Sequence, residues 1–485
     1  MKYKGKDFNM WDAWYLNVGE VVHAFHLKSQ PGEWNVGHVY TRDLLHFNKC
    51  EDILKPLGDK NPQDCLGKFT GCAYTDRKTG RHYVYYTMRN KIGSEKIGAA
   101  YTDDLVDFEL YEKNPVLVPD GDVFYLPGED RKTDCRDMLV VYDAASERYY
   151  GYFAAMAYSD GVHLKGVIGA AESTDLIHWC NQTIVYQPKF NGAVEVPDVF
   201  FMEGKWYMTI LTGANYGAKG AAGDNNLVNF TLYASSDSPR GPFVEQDDNI
   251  FIGGAFDSGY SCRSVEFKGR RYSLYIDRSE YGAAISLPKE IKVKNGKLRP
   301  CYTPILEQLR TGRKTSAENA GMFTEFNSSF AWATDVRDIG FENGVLKINS
   351  AELGYQNYYM KEVAYPSVEL VYSLTCNCGE CGVMLITSDD TREVEKYYIT
   401  ADILNKELCV YRSGYILCSK RKYDFRNGRE YFFRVIAQEG QFEIYIEDEL
   451  ILQGSMLTAE KIMPGLVCGR GNAEIKNFTV YELEK

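Results

Sequence analysis

Five copies of one short signature, set at nearly constant intervals, limit what this chain can fold into more than any other feature. Each copy is a turn residue, a charged residue and a β-rich run with Val or Tyr in fourth place. The copies are Gly19-Glu20-Val21-Val22, Gly80-Arg81-His82-Tyr83, Glu147-Arg148-Tyr149-Tyr150, Gly204-Lys205-Trp206-Tyr207 and Gly269-Arg270-Arg271-Tyr272, spaced by 61, 67, 57 and 65 residues. A second signature keeps step with the first three: Thr41-Arg42-Asp43-Leu44-Leu45-His46-Phe47, Thr102-Asp103-Asp104-Leu105-Val106-Asp107-Phe108 and Ser173-Thr174-Asp175-Leu176-Ile177-His178-Trp179. Ser235-Ser236-Asp237-Ser238-Pro239 is a degenerate fourth. About 60 residues accommodate four short strands, which is the arithmetic of a propeller blade. The expectation is an all-β chain with a five-bladed β-propeller over residues 1–310. The 37 Tyr and 24 Phe favour strands over helical bundles.

From about Leu306 the pattern lapses into a polar stretch that includes Thr311-Gly312-Arg313-Lys314-Thr315-Ser316. Residues 311–344 are therefore expected to be a linker. Beyond them alternation resumes: Phe442, Ile444 and Ile446 interleave with Glu443, Tyr445 and Glu447, the period of a half-buried strand. Residues 345–485 are expected to form a C-terminal β-sandwich.

In a propeller the first strand of each blade lines the central channel, so the segments just before the turn signatures should face one funnel. They are Trp11-Asp12-Ala13-Trp14-Tyr15, Phe69-Thr70-Gly71-Cys72, Cys135-Arg136-Asp137-Met138, Val194-Glu195-Val196-Pro197-Asp198 and Asp257-Ser258-Gly259-Tyr260. Three of the five deliver a carboxylate: Asp12, Asp137 and Glu195. Like charges brought together raise one another's pKa, as a general acid requires, and two carboxylates flanking an acetal are the minimum equipment for glycoside cleavage. Trp11, Trp14 and Phe69 are placed to stack on sugar faces, with Thr70, Arg136 and Tyr260 as further candidate substrate contacts.

These segments resemble the five-bladed propeller clan of glycoside hydrolase families 32 and 68. Asn9-Met10-Trp11-Asp12-Ala13-Trp14 stands where family 32 has W-M-N-D-P-N-G and is closer to the W-D-S-W of family 68. Arg136-Asp137-Met138 matches R-D-P, Glu195-Val196-Pro197 matches E-C-P, and Phe69-Thr70-Gly71 matches F-S-G. Gly37-His38 with Asp43-Leu44 matches G-H-x-x-S-x-D-L, and Gly282-Ala283-Ala284-Ile285-Ser286-Leu287-Pro288-Lys289-Glu290 with Leu298 resembles the closing G-x-L-S-L-P-R-E-L. The resemblance implies Asp12 as nucleophile, Asp137 as transition-state stabiliser, Glu195 as general acid/base and Arg136 as a ligand of fructosyl hydroxyls. It further implies retaining cleavage of β-fructofuranosyl linkages in sucrose, fructo-oligosaccharides or fructans, through a covalent fructosyl-enzyme. Such a scheme needs no metal and no cofactor. Three alternatives stay open: a fructosyltransferase on the same scaffold, an arabinanase- or xylosidase-like propeller glycosidase, and a non-catalytic carbohydrate-binding propeller.

The remaining signals mainly exclude. Lys and Arg number 55 against 67 Asp and Glu, a net charge of −12 with no basic block, which disfavours a nucleic-acid groove and suits a small-molecule or oligosaccharide substrate. No apolar run approaches the roughly 18 residues of a membrane helix. No apolar stretch follows Met1–Asp7, and thirteen Cys are scattered along the chain. A cytoplasmic location is therefore expected, or a secreted one had a signal been trimmed. Nothing fixes an oligomeric state. Cys376, Cys378 and Cys381 form C-x-C-x-x-C without an obvious fourth ligand, so they are expected to be incidental thiols in a hairpin. Gly217–Gly223 resembles a phosphate loop but lacks its ending, and is expected to be a loop near the funnel. His46 and His178, at equivalent repeat positions, are expected to be structural.

Overall fold

Every copy of the first signature sits at a chain reversal. Gly19, Gly80, Gly204 and Gly269 have φ of 63°, 77°, 81° and 74°, and Glu147 takes 53°, in the left-handed region that glycine enters without steric cost. The second signature builds one turn three times over. The Thr41, Thr102 and Ser173 hydroxyls accept the amides of Leu44, Leu105 and Leu176 at 2.9, 3.0 and 3.0 Å. His46 and His178 bond Asp43 and Asp175 at 2.7 and 2.6 Å, closing the turn. This is the structural role expected of both.

The computed structural model describes residues 3–484 apart from 6–7, 31–32, 55–62, 128–131, 159–160, 219–226, 256–258, 280–281, 326–338, 351–354, 389–393 and 458–459. Between the turns run β1 (Asn9–Val18), β2 (Val21–Gln30), β3 (Glu33–Thr41) and β4 (Phe47–Lys49), then β5 (Gly67–Thr75), β6 (His82–Arg89), β7 (Glu95–Thr102) and β8 (Glu109–Leu110). Next come β9 (Cys135–Asp143), β10 (Arg148–Tyr158), β11 (Leu164–Ser173) and β12 (Cys180–Tyr186), followed by β13 (Glu195–Met202), β14 (Lys205–Gly213), β15 (Asn229–Ser236) and β16 (Val244–Ala255). Each of these sets is an antiparallel meander of four strands. The first strands pack in a ring: β1 on β5, β5 on β9, β9 on β13, β13 on β17 (Tyr260–Phe267), and β17 back on β1. Apolar layers fill the wedges between neighbouring sheets, such as Trp14, Phe25, Val84 and Tyr86 between the first and second. The architecture is all-β and propeller-like, with a sheet-rich C-terminal region.

Three expectations need correction. Four meanders, not five, form complete four-stranded sets; the first three stand as separate sheets, while β16 of the fourth pairs in parallel with Gln453–Gly454 of the C-terminal region. The fifth set is β17, β18 (Arg270–Ser279), β19 (Gly282–Ile285), β20 (Lys289–Lys294) and β21 (Lys297–Cys301), and it runs on into the C-terminal sheet. Its β18 pairs with both β19 and β20, and β21 pairs with Glu449 of the C-terminal region, so the set never closes on its own edge. Second, the stretch expected to be a linker carries strands Arg310–Ser316, Phe323–Glu325 and Ile339–Glu342, which pair into the C-terminal sheets. Third, the strand Gln441–Ile446 is buried on both faces. Phe442, Ile444 and Ile446 enter the core between the two C-terminal sheets, while Tyr445 joins a second core with Tyr275 and Phe251 of the propeller region. Glu443 meets Lys289 there, both fully buried, and accepts from Tyr275 and Tyr445 at 3.1 and 2.5 Å. The closing stretch around Pro288-Lys289-Glu290 thus fastens the two regions together.

Candidate active site

Each strand of the inner ring breaks register once, where the candidate residues lie. The break falls between Met10 and Ala13 in β1, Phe69 and Gly71 in β5, Glu195 and Asp198 in β13, and Tyr260 and Cys262 in β17. In β9, Asp137 and Met138 together oppose Phe153. Such bulges kink a strand and re-aim a side chain. Asp137, Val196 and Ser261 have φ of 61°, 50° and 48°. Asp tolerates that region, but a β-branched Val there is an outlier that its surroundings must hold. Val196 is buried, and its amide donates to Asp137 Oδ2 at 3.1 Å.

The bulges bring the sequence-selected carboxylates together. Asp12 is 7% exposed and accepts from Thr70 Oγ1 at 2.5 Å, while its Oδ1 has no partner. Burial raises its pKa above the usual 3.8, Thr70 pulls it back, and the charge of Glu195 adds to the rise. Asp137, 4% exposed, is pushed well above the carboxylate range, first by burial and then by Glu195. Its amide donates to Thr87 Oγ1 at 3.1 Å and its carbonyl accepts from the buried Arg263 at 3.0 Å. Glu195 is the most open of the three, its side chain 19% exposed.

Arg136 ties the group together. Its Nη2 lies 2.9 Å from Glu195 Oε1, its Nη1 2.7 Å from Asp134 and 3.1 Å from Glu95, and its Nε 3.9 Å from Asp137. Burial alone would lower its pKa, but Glu195, Glu95, Asp137 and Asp134 outweigh that and hold it charged. Behind it, the buried Glu95 also accepts from Arg89 Nε at 3.1 Å.

An aromatic wall stands beside these charges. Trp11 donates to Ser29 at 3.2 Å, and the Arg278 guanidinium lies 3.7 Å over its ring. Trp34 bridges Trp11 and Phe69 at centroid distances of 5.8 and 5.0 Å, and Arg89 covers Phe69 at 4.5 Å. Tyr260, largely buried, meets the Tyr216 hydroxyl at 3.1 Å. Tyr216 in turn reaches Glu195, and burial together with that carboxylate keeps its phenol protonated.

Trp14 is the exception among the expected contacts. It is 1% exposed and stacks on Phe25 inside the wedge between the first two sheets. Away from a bulge, an inner strand's side chains alternate toward its two neighbouring sheets, and Trp14 obeys that alternation. Phe69 and Thr70 are in the group, but Phe69 is covered by Arg89 and Thr70 serves Asp12. Asp257 and Ser258 lie outside the described residues, as does most of the Gly217–Gly223 loop. Sequence reasoning missed Arg89, Glu95, Trp34, Tyr216, Arg263 and Arg278. Arg89 and Glu95 sit at the facing ends of β6 and β7, next to the ring strand, and Arg278 lies near the end of β18. Counting back from the turn signatures does not reach those positions.

Residues 19–299 match the family model described as "Glycosyl hydrolases family 32 N-terminal domain". Among solved structures, the chain resembles a Bombyx mori GH32 beta-fructofuranosidase at 16% identity and a TM-score of 0.69, over 100% of this chain and 93% of that one. It resembles sucrose-6-phosphate hydrolase from Lactobacillus gasseri at 14% identity and a TM-score of 0.72, over 100% and 92%. A fructofuranosidase from Schwanniomyces occidentalis complexed with fructose matches at 13% identity and a TM-score of 0.71, over 100% and 97%. At these identities the likeness speaks for the fold. No helix among the described residues is long and apolar enough to cross a membrane.

Proposed function

This chain belongs to glycosyl hydrolase family 32 and is a glycoside hydrolase; from that premise we propose that it cleaves β-fructofuranosyl linkages with retention of configuration. The observation that carries the reading is the convergence of Asp12, Asp137 and Glu195, set at three strand bulges, with Asp137 and Glu195 joined through Arg136 and Asp12 held by Thr70 within reach of the Glu195 charge. The fructose named in the Schwanniomyces occidentalis structure supports the substrate class. We assign catalysis to residues 1–310 and treat residues 345–485 as an accessory module.

Asp12 attacks the anomeric carbon while Glu195, as the acid, protonates the departing oxygen; Glu195 then deprotonates the water that releases fructose. Arg136, already bonded to Glu195 and charged, orients that carboxyl. The more open position of Glu195 suits a group that must meet first a leaving group and then water. Asp137, held by a backbone amide, suits hydrogen bonds to ring hydroxyls that tighten as oxocarbenium character grows. The test is sugar release from sucrose, kestose, inulin and levan beside aryl arabinofuranosides and xylosides, with the first-released anomer followed by NMR. Fructose appearing first as the β-furanose supports the reading, whereas pentose release without fructose, or an inverted anomer, overturns it.

One pH effect follows from the Asp12 environment. Asp12 attacks only when ionised, and burial raises its pKa, so activity should fall with falling pH along a limb set above the ordinary aspartate range. Thr70→Val removes the bond that lowers that pKa. The acid limb of kcat/KM should therefore move to higher pH, with a much smaller change on the plateau. An unmoved limb would mean that Asp12 does not govern it.

A further inference from the structure

The C-x-C-x-x-C motif is not incidental in three dimensions. Cys376 lies on the strand Val368–Asn377 of one C-terminal sheet, and Cys381 on Glu380–Ser388 of the facing sheet, so the hairpin between them crosses the sandwich. Their sulfurs are 2.8 Å apart, and the Cys468 sulfur, directly opposite Cys381 on Lys461–Gly469, is 3.4 Å from that of Cys381. All three are buried, whereas Cys378 is exposed and offers only its carbonyl, 3.2 Å from the Cys376 sulfur. A separation of 2.8 Å lies inside ordinary non-bonded sulfur contact, not far outside the roughly 2.03–2.05 Å of a disulfide. The three sulfurs form a row centred on Cys381 rather than a cage. Among the described residues, the one His/Cys/Asp/Glu set with all ligand atoms within 4.8 Å is Glu380, Asp402 and Cys409.

We propose that Cys376 and Cys381 are a disulfide-forming pair that cross-links the two C-terminal sheets, with a small-molecule disulfide as the oxidant. One thiol loses its proton and attacks the small disulfide, which breaks and releases one small thiol, leaving a mixed disulfide on the protein. The second protein thiol loses its proton and displaces the other small thiol, forming the Cys376–Cys381 bond. Two protein thiols are oxidised and one small disulfide is reduced to two thiols. Hydrogen bonding with the Cys376 and Cys468 sulfurs, together with burial, keeps the Cys381 thiol protonated, so the exchange is expected to be slow, over minutes to hours.

The folded full chain is incubated with oxidised glutathione, unfolded in iodoacetamide and digested with trypsin. The expected peptide spans residues 362–392, lacks two hydrogens and carries one alkyl group, on Cys378; total free thiol falls by two per chain. Cys378→Ser should leave the yield unchanged, and Cys381→Ser should abolish the bond. The proposal is overturned if Cys376 and Cys381 are both alkylated, if the bond involves Cys378, or if Cys381 pairs with Cys468 instead. It is equally overturned if the purified chain carries stoichiometric zinc that blocks the reaction until chelated. Because the readout is mass, a failure of the fructosidase reading would leave this result untouched.

Discussion

Asp12→Asn is expected to lower kcat for fructoside hydrolysis by about 10⁴-fold or more, the scale seen when a covalent nucleophile is removed. Asparagine is nearly isosteric and can still accept from Thr70, so the loss should be chemical and not structural. The stability measurement sharpens the test. The folded-state pKa of Asp12 is raised by burial, so its ionised form costs folding free energy at pH values above that pKa. The cost disappears below the unfolded pKa, where the carboxyl is neutral in either state. The amide that replaces it never bears the charge. The variant should therefore melt above the native enzyme at neutral pH, and the gap should close as the pH falls. Glu195→Gln should cost about 10²–10⁴-fold on sucrose and less on fructosides whose leaving groups need no proton. Equal losses on both substrate types would contradict Glu195 as the acid.

Removing Arg136 should have the largest effect on the fold. Arg136→Met leaves Glu195, Asp134, Glu95 and Asp137 facing one another without their shared cation. Breaking a buried ion pair from one side costs about 3–5 kcal/mol. Thermal melts of the native protein, Arg136→Met and Arg136→Lys would show this. Lysine keeps the positive charge, so Arg136→Lys should recover part of the deficit. Equal deficits in both variants would mean that lost packing, not lost charge, is responsible. Activity should fall with it, because Arg136 also fixes the Glu195 carboxyl.

The sequence made the ring legible because its turns are chemically demanding. A left-handed residue at each reversal, followed in the first three sets by a hydroxyl–aspartate turn, leaves a pattern that can be read from composition, and counting back from the reversals reached Asp12, Asp137 and Glu195. What stayed hidden depends on backbone events without a compositional mark. The bulge after Met10 uses no glycine, so nothing in Trp11-Asp12-Ala13-Trp14 shows that Asp12 leaves the alternation while Trp14 keeps it. Glu95 and Arg89 come from strands outside the ring and reach the site only through the Arg136 network. Glu443 was unreadable for another reason: its solvent-like polarity is answered by Lys289, more than 150 residues earlier in the chain. The sequence pattern described one sheet face correctly and could not report that a second region covers the other.

The recurring bulges also bear on how such an enzyme changes its chemistry. Each works as a socket: the kinked backbone fixes where a side chain will project, and the occupant is a separate choice. Carboxylates fill the sockets of β1 and β9, and hydroxyls, Thr70 and Ser261, fill those of β5 and β17. Exchanging an occupant alters charge and proton supply at the centre without asking any strand to re-pair. A ring of this kind can therefore be rewired one position at a time, and new specificities are best sought at Thr70 and Ser261 before the walls are rebuilt.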